Sequence, residues 1–149
     1  MNIYFDNAAT SSPKPPEVHE RVNAALTEFN ANPGRSGHSA ALSAAREVLS
    51  ARERLAALMN AGEETNIAFA FNCTDALNLA IKGALRYGDH VITTQLEHNS
   101  VLRPINALAA RGRISLSIVS PRADGFVDPE DIRATIRKNT RLIAVTHAS

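Results

Sequence analysis

Hydrophobic and polar positions change rhythm near residue 65 of this chain. Before that point the apolar positions recur at helical spacing. Ile3-Tyr4-Phe5 is a short apolar run closed by Asp6-Asn7. Ser11-Ser12-Pro13-Lys14-Pro15-Pro16 reads as a turn or extended loop, because proline fixes its own backbone and biases the residue before it away from helix. Val18, Val22, Ala25 and Leu26 share one face of a helix predicted over about Glu17 to Phe29. Asn30-Ala31-Asn32-Pro33-Gly34 breaks it and opens a polar loop through His38. A longer helix follows, roughly Ser39 to Met59, with Leu42, Ala45, Val48, Leu49, Arg52, Leu55 and Leu58 at helical spacing and a stop at Asn60-Ala61-Gly62.

Beyond residue 65 strands and helices alternate. Ile67-Ala68-Phe69-Ala70-Phe71 is a buried-strand candidate, followed by a helix from Asp75 to Arg86 and a turn at Tyr87-Gly88-Asp89. Then come a strand His90 to Thr93, a helix from about Ser100 to Ala110, and a strand Ile114 to Val119. A loop over Pro121 to Phe126, a helix Pro129 to Arg137 and a strand Leu142 to Thr146 complete the pattern. The order β-α-β-α-β-α-β predicts an α/β fold with a mostly parallel sheet, helices on both faces and right-handed crossovers. Two regions are expected: an extended and helical segment over 1–64, and the first part of an α/β domain over 65–149. The last strand is followed only by Thr146-His147-Ala148-Ser149, so the chain is expected to be a piece of something longer.

Composition narrows the class. At 149 residues the chain is long enough to bury a core, and 44% hydrophobic with 21% charged is ordinary for a globular protein. A net charge of +1 without a basic stripe gives no case for nucleic acid. The single cysteine, Cys73, excludes an internal disulfide framework and a multi-cysteine metal site. The opening residues lack a secretory leader, and no apolar run reaches the roughly 18 residues of a membrane span. The expected setting is cytoplasmic. Lysines are few: Lys14, Lys82 and Lys138.

In an open parallel sheet, ligands bind beyond the carboxyl ends of the strands. That rule selects Asn72-Cys73-Thr74-Asp75, Gln95-Leu96-Glu97-His98-Asn99 and Thr146-His147-Ala148-Ser149. The first joins a strand to a helix, where free N–H groups, the helix dipole and the Thr74 hydroxyl suit a phosphate. The same residues also read as a plain helix start capped by Thr74 or Asp75. Neither the Walker pattern nor G-x-G-x-x-G occurs. His98 suits proton transfer or stacking on an aromatic cofactor. It reads equally as an exposed or capping histidine, just before a helix for which Asn99 or Ser100 is a candidate cap. Cys73, lacking an activating base, reads as a packing and backbone residue rather than a nucleophile. Turn chemistry explains most of the loops Asp6 to Thr10 and Asn32 to His38. Arg35 either holds a carboxylate or stands solvated.

Taken together, these segments resemble the class V aminotransferase group and, within it, the cysteine desulfurases. Tyr4-Phe5-Asp6-Asn7-Ala8-Ala9-Thr10 is similar to the family's opening strand and turn. Asn32-Pro33-Gly34-Arg35-Ser36-Gly37-His38 is similar to its N-terminal active-site loop. Asn72-Cys73-Thr74-Asp75-Ala76-Leu77-Asn78 resembles its phosphate-binding turn. Gly88-Asp89-His90-Val91-Ile92 and Glu97-His98-Asn99-Ser100 resemble its next strand and the histidine that follows.

The resemblance implies pyridoxal 5′-phosphate (PLP) on a fold-type-I large domain, and a homodimer. It implies that Cys73 and Thr74 hold the phosphate and that His98 stacks on the pyridine ring and assists proton transfer. Ala9, Thr10 and Arg35 would lie nearer the substrate. The implied reaction removes sulfur from L-cysteine, leaving L-alanine and an enzyme persulfide that a sulfur-acceptor protein could unload. The family's cofactor lysine follows a later strand, and none of Lys14, Lys82 or Lys138 matches it. Cys73 does not match the sulfur-accepting cysteine. The 149-residue chain alone is therefore expected to be inactive. A selenocysteine lyase or aminotransferase of the same group, or a non-catalytic α/β fragment, are the alternatives; no metal is expected.

Overall fold

Two prolines set the start of the first helix. In the computed structural model, which describes residues 3–35 and 37–147, helix α1 spans Pro16–Thr27, with Pro15 as its extended N-cap. Proline at the first helical position suits the helix because its missing N–H would have no partner there. The helix stops two residues short of the expected Phe29. Its stripe of Val18, Val22 and Leu26 is exposed, and no residue of α1 is buried.

Helix α2 spans Ser39–Met59, as the periodicity predicts. The face it buries is different from the one expected: Ala41, Ala44 and Ala56 are buried, whereas Leu42, Leu49 and Leu58 are exposed. His38 caps it, Nδ1 accepting from the Ala41 N–H at 3.2 Å. At its end Asn60 takes a left-handed conformation (φ 50°). The Ala61 N–H then reaches back to the Ala56 carbonyl at 2.8 Å.

One of the four expected strands is absent, and the opening apolar run is not a strand either. Ile3-Tyr4-Phe5 is irregular and exposed, and the Tyr4 hydroxyl instead donates to the carbonyls of Asp6 and Thr10, each at 3.0 Å. Ile67 to Phe71 also forms no ladder; a 3₁₀ turn, Glu64–Asn66, leads into it. A strand needs a neighbour for its N–H and C=O groups, and β-propensity cannot replace one. The three strands of the sheet pair only with one another. Phe69 lies under the Arg52 guanidinium, 5.9 Å from the ring centroid, and Phe71 is 94% exposed. The chain divides here into two compact units, Met1–Phe69 and Ala70–Ser149.

The second unit is a three-stranded parallel sheet of order β2-β1-β3, formed by β1 (Asp89–Thr94), β2 (Ile114–Val119) and β3 (Thr140–Ala144). Val91 of β1 lies opposite Leu116 on one side and Leu142 on the other. Three helices accompany the sheet: α3 (Cys73–Ala84), α4 (Asn99–Ala110) and α5 (Pro129–Thr135). Strand β3 starts and ends two residues earlier than the pattern suggests, and α5 ends two residues before Arg137. Arg137 is drawn instead into the turn to β3, its N–H donating to Thr140 Oγ1 at 2.7 Å. Gly88, with φ 86°, turns the chain from α3 into β1.

Ile81 of α3, Val101 and Ile105 of α4, Val91 and Ile114 form the buried core on one face of the sheet. The α4 crossover steps from β1 to β2, and the α5 crossover steps back to the far side of β1. Right-handed crossovers in opposite directions put the two helices on opposite faces. The side chains agree, because Arg137, just after α5, bonds Ser117 on the face away from that core. His90 lies fully buried on this second face, with Nδ1 2.8 Å from Thr140 Oγ1 and Nε2 2.9 Å from Ser117 Oγ. A polar residue inside the central strand is thereby satisfied from both flanking strands.

Candidate functional site at the carboxyl ends of the strands

Strand β1 ends in a turn closed by its own side chains. Thr94 Oγ1 accepts from the Leu96 N–H at 3.2 Å and donates to Glu97 Oε1 at 2.9 Å. Glu97 is buried, and it also receives the N–H of Thr146 on Oε1 and the Thr146 hydroxyl on Oε2, both at 2.7 Å. Thr146 follows β3, so one carboxylate joins the ends of two adjacent strands. The Gln95 N–H donates to the Val119 carbonyl at 3.0 Å, tying the same turn to the end of β2. The sequence motif contains Glu97 but gives it no role, since its partner is remote in the chain. No local signal distinguishes it from a solvated turn carboxylate.

This braced turn delivers His98, which is the N-cap of α4 in place of Asn99 or Ser100. Its Nδ1 accepts from the Ser100 N–H at 3.1 Å and lies 2.7 Å from Ser100 Oγ. The capping role and a place in the site are therefore compatible, because capping uses only one ring nitrogen.

Asn72, in extended conformation, caps α3, so neither Thr74 nor Asp75 does. Its Oδ1 accepts from the Asp75 N–H at 2.9 Å. Asp75 in turn accepts from the Phe71 N–H at 3.4 Å. Cys73 and Thr74 are the first two helical residues, and their N–H groups have no intrahelical acceptor. The Thr74 hydroxyl has no hydrogen-bond partner among the described residues, and Cys73 is a free, exposed thiol. Thr74 and His98 line one open cleft of about 480 Å³ between α3 and α4. Its charged lining residues are Lys82, Arg103 and Arg111, with no carboxylate. Open N–H groups at a helix start and a free hydroxyl form an environment suited to a phosphate ester.

The family model for class-V aminotransferases matches residues 3–149. The chain belongs to that family. It is 36% identical over 150 residues to a probable cysteine desulfurase of Methanothermobacter thermautotrophicus, covering 99% of this chain and 36% of the relative. It is 37% identical to the cysteine desulfurase IscS of Photobacterium profundum, covering all of this chain and 38% of the relative. The chain thus spans little more than a third of these relatives. The apo cysteine desulfurase of Thermococcus onnurineus NA1 superposes with a TM-score of 0.85 at 31% identity, over 99% of this chain and 37% of that one. A structure described as SspA in complex with cysteine gives the same score and identity, over 98% and 42%. These neighbours place the parallel sheet and its helices in the fold-type-I large domain.

The remaining members of the expected site belong to the first unit. The N–H groups of Ala9 and Thr10 donate to the Asp6 carbonyl at 3.2 and 3.3 Å, and Thr10 Oγ1 accepts from Lys14 Nζ at 3.2 Å. Arg35 is exposed and makes no ion pair among the described residues. His147 is exposed, while Ser36, Ala148 and Ser149 of the expected segments lie outside the described residues. Among the described residues no helix is long and apolar enough to cross a membrane, and no group of three His, Cys, Asp or Glu gathers to hold a metal.

Proposed function

We propose that this chain carries part of the cofactor site of a PLP-dependent cysteine desulfurase, which works as a cytoplasmic homodimer on L-cysteine and passes sulfur to an acceptor protein. The observation that carries the reading is the meeting of Thr74 and His98 in one cleft whose charges are all basic. The cysteine desulfurases among the relatives and the cysteine-bound neighbour support the substrate.

The residues fit the phosphate of PLP. The N–H groups of Cys73 and Thr74 and the Thr74 hydroxyl bind it, and the dipole of α3 adds to their attraction. His98 would stack on the pyridine ring and assist proton transfer as a hydrogen-bond donor, while Ala9, Thr10 and Arg35 would serve the substrate side. When bound, PLP supplies the electron sink that lets a carbon–sulfur bond break. The chain alone does not complete that chemistry. Lys14 is engaged by Thr10 and Ser11, Lys82 sits two turns along α3 from Thr74, and Lys138 lies between α5 and β3. None follows a strand in the small-residue setting of the family's cofactor lysine, and Cys73 belongs to the phosphate turn.

Equilibrium dialysis with PLP tests the reading. Thr74→Val removes one hydrogen bond to a charged group, about 1.5–3 kcal/mol, so affinity should fall roughly tenfold or more. Unchanged affinity would remove Thr74 from the phosphate cup. Borohydride should fix no PLP covalently to the chain, and an adduct seen by mass spectrometry would overturn the assignment of the lysines.

A further inference from the structure

Ser100 places two donors against the same atom of His98. Its backbone N–H points at Nδ1 from 3.1 Å, and its hydroxyl oxygen lies 2.7 Å from that nitrogen. A backbone amide can only donate, so Nδ1 must present its lone pair. The neutral ring then carries its proton on Nε2. Ser100 is 7% exposed, and its hydroxyl has no other partner among the described residues. Nε2 has no partner among the described residues and is the nitrogen left for the cleft that His98 lines.

We infer that Ser100 is a positioning residue that fixes His98 as the Nε2–H tautomer, so that the ring presents a hydrogen-bond donor to an acceptor atom in the cleft. What that acceptor is rests on the PLP reading above; the tautomer and the part played by Ser100 do not. No proton leaves the ring in this arrangement. The lone pair that would take up a proton is turned toward the start of α4, and the cleft meets an N–H. The backbone half of the contact comes with helix capping at any residue type, whereas the hydroxyl half is specific to serine or threonine.

Long-range ¹H–¹⁵N correlation spectra of the labelled chain, without PLP and at a pH where the ring is neutral, decide the point. The His98→Gln spectrum identifies the His98 signals. In the unaltered chain Nδ1 should resonate as a pyridine-type nitrogen and Nε2 as a pyrrole-type nitrogen. In Ser100→Ala, Nδ1 should stay pyridine-type but move toward the position of a free lone pair, because one donor has been removed. A pyrrole-type Nδ1 in the unaltered chain, or an Nδ1 signal that Ser100→Ala leaves unmoved, would overturn the inference. Because both spectra are recorded without cofactor, a failure of PLP to bind does not alter what they show, and the dialysis experiment reports that failure separately.

Discussion

Glu97 accepts two hydrogen bonds from Thr146, one from its N–H and one from its hydroxyl, each at 2.7 Å. The pair fastens the turn after the central strand to the end of its neighbour, and the next residue after Glu97 is His98. Glu97→Ala leaves the Thr146 N–H and the Thr94 hydroxyl without their acceptor in a buried place, a cost of about 1–3 kcal/mol. Glu97→Gln should cost less, because its amide oxygen accepts from the same N–H and its NH₂ group donates to a hydroxyl that can rotate. Urea titration of the two variants checks the order. A double-mutant cycle with Thr146→Val should show coupling, since the two residues touch; additive losses would deny the clamp.

The first turn of α3 separates helix stability from anion binding. Asn72→Ala removes the side-chain cap on the Asp75 N–H and should destabilise the chain by about 1 kcal/mol. Asn72→Asp keeps an acceptor of the same shape and should hold stability near the starting value. It adds a negative charge beside the Cys73 and Thr74 N–H groups, so PLP affinity should fall even though the fold does not. Parallel urea titration and dialysis would show the two effects moving independently.

Most of the α/β unit is legible from periodicity. Helix α2 and strand β2 begin and end where their apolar positions predict, because each is bounded by a strong local stop: Asn60 in left-handed conformation for the helix, and Gly112 with Pro121 around the strand. Ile67 to Phe71 failed the same test for a non-local reason, as nothing in the local pattern says whether a β-prone run has a partner strand. His98 was legible as a cleft residue because it follows β1, at the carboxyl end of the parallel sheet. The same rule points to Thr74 only behind Ile67 to Phe71, which forms no strand, and Thr74 lines the cleft through the packing of α3 against α4. The caps of these two helices were not legible. Either of two neighbouring polar residues can cap a helix, and the choice at Asn72 and His98 is settled by backbone geometry. Glu97 was unreadable for the same reason as the missing strand: its partner is remote in sequence.

Core packing gives a contrast between two isoleucines. Ile105 of α4 is fully buried among Ile81, Val91, Val101 and Ile114, whereas Ile118 of β2 is 47% exposed. Ile105→Ala should cost about 2–5 kcal/mol, the transfer of its lost methyl groups plus the cavity left between helix and sheet. Ile118→Ala should cost well under that, because water already reaches the side chain. Equal losses in denaturant titration would show that the α3–α4 face is not the core of the unit.

His90 makes the stability depend on pH. Burial lowers its pKa below the ordinary 6.5, and the nearby Arg137 guanidinium lowers it further. The neutral ring fits its two hydroxyl partners, with Thr140 Oγ1 already accepting from the Arg137 N–H and Ser117 Oγ from its guanidinium. Those hydroxyls are supplied with donors, so an added ring proton finds no good acceptor. The unfolded chain takes up a proton as pH falls through about 6.5, while the folded chain does not. Stability is therefore full above that pH and falls below it, until the pH passes the folded pKa and no further loss accrues from this group. His90→Gln should be less stable at pH 7.5, where the native ring is satisfied, and should lose less on going to pH 5.5. The difference between the two proteins' urea midpoints, followed from pH 7.5 to 5.5, isolates the His90 contribution; a constant gap would mean that the ring titrates alike in both states.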